Sequence, residues 1–177
     1  MIRKINAILT SLILLGVIIH GVFASFGLFG ASANSMKHLA RGIFVLVALH
    51  TAIGIWTTVE TLIALKRAGV HYFKGNLMFW ARRISGIAIM ILLVFHLVIF
   101  DVGEGRLSVF DGVALTTQIL LVVSIVLHVV INAKPMLISF GIGRLKARVA
   151  DILFILSVLL VVFIAAFIVY YIRWHIA

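Results

Sequence analysis

The chain has 177 residues, of which 64% are hydrophobic, and its 15 Lys and Arg against 5 Asp and Glu give a net charge of +10. With a mean hydropathy of +1.31, a soluble domain of this size could not cover its apolar surface, so the bilayer is the expected solvent. Long apolar runs without two-residue alternation exclude a β-barrel, and the absence of Cys excludes disulfides and thiolate-held metals.

Five apolar spans follow one another, at about residues 6–29, 39–65, 79–100, 112–131 and 150–172. Each is long enough for a transmembrane helix of about 20 residues. The basic start and Ala31-Ser32-Ala33 resemble a signal peptide, but the apolar run exceeds the roughly 7–15 residues of such a leader. The sequence therefore predicts an all-α membrane protein with one domain, a bundle of five transmembrane helices.

Basic residues near the span ends predict the orientation, because cytoplasmic loops carry the excess of Lys and Arg. With the N-terminus inside, four basic residues lie outside: Lys37, Arg41, Arg106 and Arg173. The other eleven lie inside: Arg3, Lys4, Lys66, Arg67, Lys74, Arg82, Arg83, Lys134, Arg144, Lys146 and Arg148. We expect a cytoplasmic N-terminus and an outer C-terminus. This rule and anionic lipid explain the charge, so nucleic acid is not an expected partner.

Histidine recurs inside the spans, where an ionisable side chain is costly and marks a functional site. Three of the seven histidines, His38, His71 and His175, lie at or beyond span ends and are expected at the interface. The first four spans each hold one: His20, His50, His96 and His128. A single buried histidine is commonly a helix–helix hydrogen bond, but four distributed in this way favour a shared ligand role. Paired neutral imidazoles from different helices suit haem iron.

Depth along the helices indicates which histidines could pair. His20 is 16 residues past Lys4 and His96 is 13 past Arg83, so they lie roughly 24 and 20 Å from the inner side and form an outer pair. His128 is 6 residues before Lys134, only about 9 Å from that side. His50 is its partner by elimination, and its depth fits if Glu60 rather than Lys66 marks the inner boundary.

Residues at helical spacing from the histidines have two interpretations each. Gly16 and Gly54 lie four residues from His20 and His50, where a glycine admits either a planar ligand or a closely packed helix. Arg82 and Ser85 both lie within about 40° of the His96 face, whereas Arg83 points elsewhere. An arginine at this depth could bind a haem propionate or extend to lipid phosphate.

The residues around His96 resemble a known family. His50-x-x-x-Gly54, Asn76-x-Met78-Phe79, Arg83-Ile84-Ser85-Gly86 and His96 are similar to the core of the five-helix dihaem cytochrome b subunit that anchors succinate dehydrogenases and fumarate reductases. The similarity is best over about His50–Leu97. It extends along the chain through the number of helices and the one histidine in each of the first four.

The resemblance implies two haems b stacked across the membrane, the distal one held by His20 and His96 and the proximal one by His50 and His128. Arg82 and Arg83 are the propionate candidates because of their position at the inner interface. It implies a flavoprotein and an iron–sulfur subunit on the cytoplasmic side, a quinone, expected to be menaquinone, and location in the prokaryotic cytoplasmic membrane. Dicarboxylate chemistry would then occur in the flavin subunit, and this chain would transfer electrons between the iron–sulfur subunit and quinone.

Other interpretations remain open at this point. Asp101 and Glu104, near the outer end of the third span, are candidates for proton exchange with quinone or are solvated loop acids at the water interface. The chain could instead be the cytochrome b anchor of a nitrate reductase, hydrogenase, formate dehydrogenase or heterodisulfide reductase. A rival from another class is a transporter or proton channel with a histidine relay.

Overall fold

The computed structural model describes residues 2–30, 36–69, 76–100, 110–141 and 146–176, except for the side chains of a few residues near helix ends. They form five α-helices: α1 (Ile2–Leu28), α2 (Lys37–Arg67), α3 (Leu77–Phe100), α4 (Gly112–Ser139) and α5 (Lys146–Ile176). All five are long and apolar enough to cross a membrane. The predicted all-helical fold with five spans is confirmed.

The helices extend beyond the apolar spans, most clearly at the end of α4. The predicted fourth span ends at residue 131, but the helix continues through Pro135 to Ser139. Side chains support the backbone there, since the Asn132 amide donates to the His128 carbonyl at 2.8 Å and the Ser139 hydroxyl donates to the Pro135 carbonyl at 2.9 Å. Apolar content marks the part of a helix that fits the hydrocarbon layer, so it underestimates the full length of the helix.

Two helix pairs form the frame of the bundle. α1 packs along α2 and α3 packs along α4, while α5 packs on both α4 and α1. Within the described residues, α2 and α3 have no extended backbone contact, and side chains connect them instead. The Thr51 hydroxyl donates to Met90 Sδ at 3.4 Å, and Arg83 Nε donates to Thr58 Oγ1 at 3.1 Å. Side chains from four helices therefore line the interior between the two pairs.

A hydrophobic core lies where α4 begins and α5 approaches its end. Phe110, Ala114, Val122 and Phe167 form a buried apolar cluster there. Most large apolar side chains elsewhere are at least partly exposed, apart from a few such as Phe79 and Leu156, and α2 has no buried residue among those described. This pattern suits a protein solvated by lipid, because helices in a bilayer associate by close packing and polar contacts and need not bury every apolar side chain.

Two glycines set how closely α1 approaches its neighbours. A Cβ at Gly21 would lie 2.5 Å from the Phe163 ring on α5, and one at Gly16 would lie 2.8 Å from Ile43 Cγ1 on α2. Both distances are too short for a side chain of any size without displacement of the neighbouring group. Gly16 therefore serves helix packing, which is one of the two interpretations of its spacing from His20.

Candidate functional site

The four histidines inside the helices form two pairs across the interior. The rings of His20 on α1 and His96 on α3 have centroids 6.2 Å apart, with their planes at 84°. The rings of His50 on α2 and His128 on α4 have centroids 6.5 Å apart, with their planes at 85°. These are the pairs expected from depth, including the one assigned by elimination. Each pair joins one helix of the α1–α2 pair to one of the α3–α4 pair.

The ring separations match those of two imidazoles on opposite sides of one metal ion. A metal–imidazole bond is about 2 Å long and a ring nitrogen lies about 1 Å from the ring centre, so the two centroids would be about 6 Å apart. An ordinary edge-to-face contact also falls at about 4.5–7 Å. The hydrogen bonds of the other ring nitrogens therefore carry further information.

Three of the four histidines have Nδ1 within hydrogen-bonding distance of a polar side chain on the adjacent helix. His96 Nδ1 lies 2.7 Å from Gln118 Oε1, and His128 Nδ1 lies 2.8 Å from Ser85 Oγ. His50 Nδ1 lies 3.0 Å from Asn6 Oδ1 and 3.4 Å from Thr10 Oγ1. A partner at Nδ1 fixes the ring and leaves Nε2 for a metal, which is the usual arrangement of histidine ligands.

His20 differs from the other three histidines. Its Nδ1 is buried and makes no hydrogen bond with any described residue. The outer pair therefore combines one supported ring, His96, with one unsupported ring, whereas both rings of the inner pair are supported.

Each pair offers two imidazoles to a metal ion. Among the described residues, no group of three or more His, Cys, Asp or Glu side chains is placed to hold a metal ion. Zinc sites use three or four protein ligands, so a bare ion would be poorly held here. A two-histidine site fits a metal that brings its other ligands with it, as the iron of haem does.

The two pairs lie at separate levels of the bundle. On α3, Ser85 contacts His128 and lies 11 residues before His96; on α4, Gln118 contacts His96 and lies 10 residues before His128. At 1.5 Å per residue, both helices place the levels about 15–17 Å apart. Arg83, near the start of α3, reaches Thr58. This contact brings the part of α2 just before Glu60 close to the start of α3, as the depth estimate for His50 requires.

The motif Ser85-Gly86 faces His128 rather than His96. A Cβ at Gly86 would lie 3.5 Å from His128 Cε1, so this pair of small residues supplies one hydrogen bond to the ring and room beside it. Near His50, a Cβ at Gly54 would meet no atom within 4 Å. Tight helix packing therefore does not explain Gly54, in contrast to Gly16.

The two neighbouring arginines differ in their surroundings. Besides its bond to Thr58, Arg83 donates from NH1 to the Phe79 carbonyl at 3.2 Å, and its guanidinium carbon lies 3.5 Å from the Phe79 ring centroid. The Nε of Arg82 is buried and has no hydrogen-bond partner among the described residues. Arg83 thus connects α3 to α2, while Arg82 retains a buried donor for an anionic group.

A cavity of about 240 Å³ lies at the end of the bundle where α3 ends and α4 begins. Its walls include Phe100, Phe110, Asp111 and Tyr170, and the Phe100 ring is 5.1 Å from that of His96. Asp111 accepts a hydrogen bond from the Ala114 backbone nitrogen at 2.8 Å and caps α4. The predicted proton-exchange residues Asp101 and Glu104 lie outside the described residues.

The interfacial histidines lie away from the pairs where the structure describes them. His38 and His175 are exposed near helix ends, as expected, and His175 Nδ1 lies 2.9 Å from the Tyr171 carbonyl oxygen. His71 lies outside the described residues.

The sequence does not predict which side chains hydrogen-bond the rings of the paired histidines. Gln118 is the only glutamine in the chain and stands in an apolar run, which is a signal that could have identified it. Asn6 and Thr10, near the start of α1, carry no comparable signal. Comparisons of the sequence with protein-family models and curated proteins, and of the fold with solved structures, find no match.

Proposed function

We propose that this chain is a membrane cytochrome b with two haems b, one between His20 and His96 and one between His50 and His128. The observation that carries the proposal is the pair of inter-ring distances, 6.2 and 6.5 Å, each joining histidines of different helices. Two inter-ring distances of this size in one bundle, with Nδ1 hydrogen-bonded on three of the four rings, indicate a ligand role more specifically than a single aromatic contact would.

The side chains around each pair support this function. Ser85, Asn6 and Gln118 orient their rings through Nδ1, and Gly54 and Gly86 leave space beside the inner pair. The buried Nε of Arg82 suits a haem propionate, with which arginine forms strong charge-assisted hydrogen bonds. A bound haem, which these four histidines would hold, would supply reversible one-electron chemistry, tuned by the histidines and by the burial that the helices provide.

A histidine relay is less well supported by the same geometry. Proton transfer between side chains requires groups within hydrogen-bonding distance, about 3 Å, or a chain of waters. The two histidine levels are about 15–17 Å apart. Between these levels, residues 86–95 of α3 and 119–127 of α4 carry one polar side chain, that of Ser124. Electron transfer between two cofactors suits this spacing better than proton transfer between two imidazole pairs.

We further propose that the chain is the membrane anchor of a succinate:quinone oxidoreductase or fumarate reductase in a prokaryotic cytoplasmic membrane. The resemblance around Arg83-Ile84-Ser85-Gly86 and His96 supports this class over the anchors of nitrate reductase, hydrogenase, formate dehydrogenase and heterodisulfide reductase. The basic inner side would face the iron–sulfur subunit, which carries electrons to or from the flavoprotein. Quinone, expected to be menaquinone, would react near the outer cavity beside His96.

The test is purification of the chain from its native membrane under mild detergent. We expect a reduced-minus-oxidised spectrum with haem b bands, and a flavoprotein and an iron–sulfur protein that elute with the chain. A spectrum without haem b bands would overturn the cytochrome. Haem b with a molybdenum- or nickel-containing partner would keep the cytochrome and overturn the assignment to succinate or fumarate chemistry.

A further inference from the structure

Gln118 is the most completely buried polar side chain that the structure describes, with a relative exposure of 0%. A buried amide without hydrogen bonds is destabilising by about 1–3 kcal/mol in proteins. Gln118 avoids this cost through a hydrogen bond, since its Oε1 lies 2.7 Å from His96 Nδ1. The contact is the shortest of those made by the four paired histidines.

The surroundings of Gln118 determine which way its amide points. Its Nε2 donates to Thr117 Oγ1 at 3.4 Å, and the Thr117 hydroxyl donates in turn to the Ala114 carbonyl at 2.8 Å. The amide nitrogen therefore has an acceptor of its own, and the amide oxygen faces His96. An acceptor at this position requires a proton on His96 Nδ1, which leaves the lone pair of Nε2 free.

We propose that Gln118 is the positioning residue of the outer pair: it holds the His96 ring in the tautomer that binds haem iron and raises the basicity of that ligand. The inference rests on the proposed cytochrome function and adds a residue that sets the midpoint redox potential of the haem at the His20–His96 pair. His20, without a partner at Nδ1, is the unsupported ligand of the same pair. Among the described residues, Gln118 is thus the one side chain that hydrogen-bonds a ring Nδ1 of the outer pair.

A more basic ligand stabilises the oxidised iron more than the reduced iron, so its support lowers the midpoint potential. Gln118→Met keeps the length of the side chain and replaces the amide oxygen with a thioether sulfur, which is a much weaker acceptor. We expect the outer haem of this variant to titrate at a more positive potential and to be retained roughly 10- to 100-fold less tightly. Gln118→Glu keeps an acceptor oxygen, so its outer haem should titrate at the wild-type potential or below it.

The experiment is a spectroscopic redox titration of the purified wild-type complex and the two variants. The outer component is identified as the one missing from His20→Leu. Ser85→Ala is the matched control, because it removes the Nδ1 partner of His128 and should move the inner component alone. The proposal is supported if the midpoint potential of the outer haem becomes more positive in Gln118→Met but not in Gln118→Glu. A change in packing alone would not depend on whether the substituted side chain keeps an acceptor oxygen.

An outer potential that is unchanged in Gln118→Met, or that becomes more positive in both variants, would overturn the role of Gln118. If Gln118→Met does not accumulate, Gln118→Glu decides: an outer potential at or below the wild-type value supports the proposal, and a more positive one overturns it. Two haem components in the wild type with no effect of Gln118 would leave the cytochrome intact. Absence of haem from the wild type would instead refute the proposed function.

Discussion

At the scale of single residues, position on a helix separates histidines that would hold haem from those that would not. His96 lies within the bundle beside His20, whereas His175 is exposed near the end of α5. We expect His96→Leu to lose one of two haems and to keep the other, because the inner pair is intact. His175→Leu should keep both. The pyridine haemochrome assay of the purified variants measures this. A full haem content in His96→Leu, or a lost haem in His175→Leu, would mean that the ligands lie elsewhere.

The two neighbouring arginines, Arg82 and Arg83, should differ in how much they stabilise the folded protein. Arg83→Gln removes a charged hydrogen bond to Thr58 and a cation–π contact with Phe79, and together these contribute about 1–3 kcal/mol. Arg82→Gln removes the same charge one residue earlier without breaking a described contact. Thermal unfolding in detergent should show a lower midpoint for Arg83→Gln than for Arg82→Gln. Equal midpoints would argue against a structural role for the Thr58 contact.

Sequence predicts the histidines well and their supporting partners poorly. The depth of His20 and His96 follows from a fixed rise per residue along straight helices, so their pairing is open to prediction. Which side chain reaches a ring nitrogen depends on helix rotation and rotamers, which spacing does not specify. For this reason Ser85 is assigned from its spacing to the His96 face and lies against His128 in the structure.

At the scale of helices, the contact of Gly21 with Phe163 makes the α1–α5 interface sensitive to one methyl group. Gly21→Ala forces the two helices apart and should destabilise the protein by about 1–3 kcal/mol, as overpacking does in cores. Gly42→Ala is the matched control, because a Cβ there meets no atom within 4 Å. That substitution should be neutral or slightly stabilising, since alanine favours the helix by up to about 1 kcal/mol.

Denaturation of both glycine variants in a mixed-detergent titration measures the difference. A Gly21→Ala protein as stable as Gly42→Ala would show that α5 can move without loss. The location of all five helices is predictable from apolar length, but the Gly21 contact is not, because glycine in a span is equally consistent with a lipid-facing position. Likewise, hydropathy detects where α4 crosses the membrane but not its continuation past Pro135.

At the scale of the whole molecule, the distribution of basic residues predicts a cytoplasmic N-terminus. The chain has no Cys, so a single introduced cysteine reports its side of the membrane without background. Lys37→Cys and Lys66→Cys lie at opposite ends of α2. In intact spheroplasts, an impermeant maleimide should label Lys37→Cys and reach Lys66→Cys only after permeabilisation. The reverse pattern would invert the bundle and move the inner pair to the outer side.

The most direct test of two haems held by two specific histidine pairs is the haem-to-polypeptide ratio of two double variants. His20→Leu/His96→Leu removes both ligands of one pair, so it should keep one haem per chain. His50→Leu/His96→Leu removes one ligand from each pair, so it should keep none. Each variant replaces two of the four paired histidines by leucine, so any general loss of folding should affect both variants alike. Equal haem content in the two double variants would contradict the pairing on which the proposed function rests.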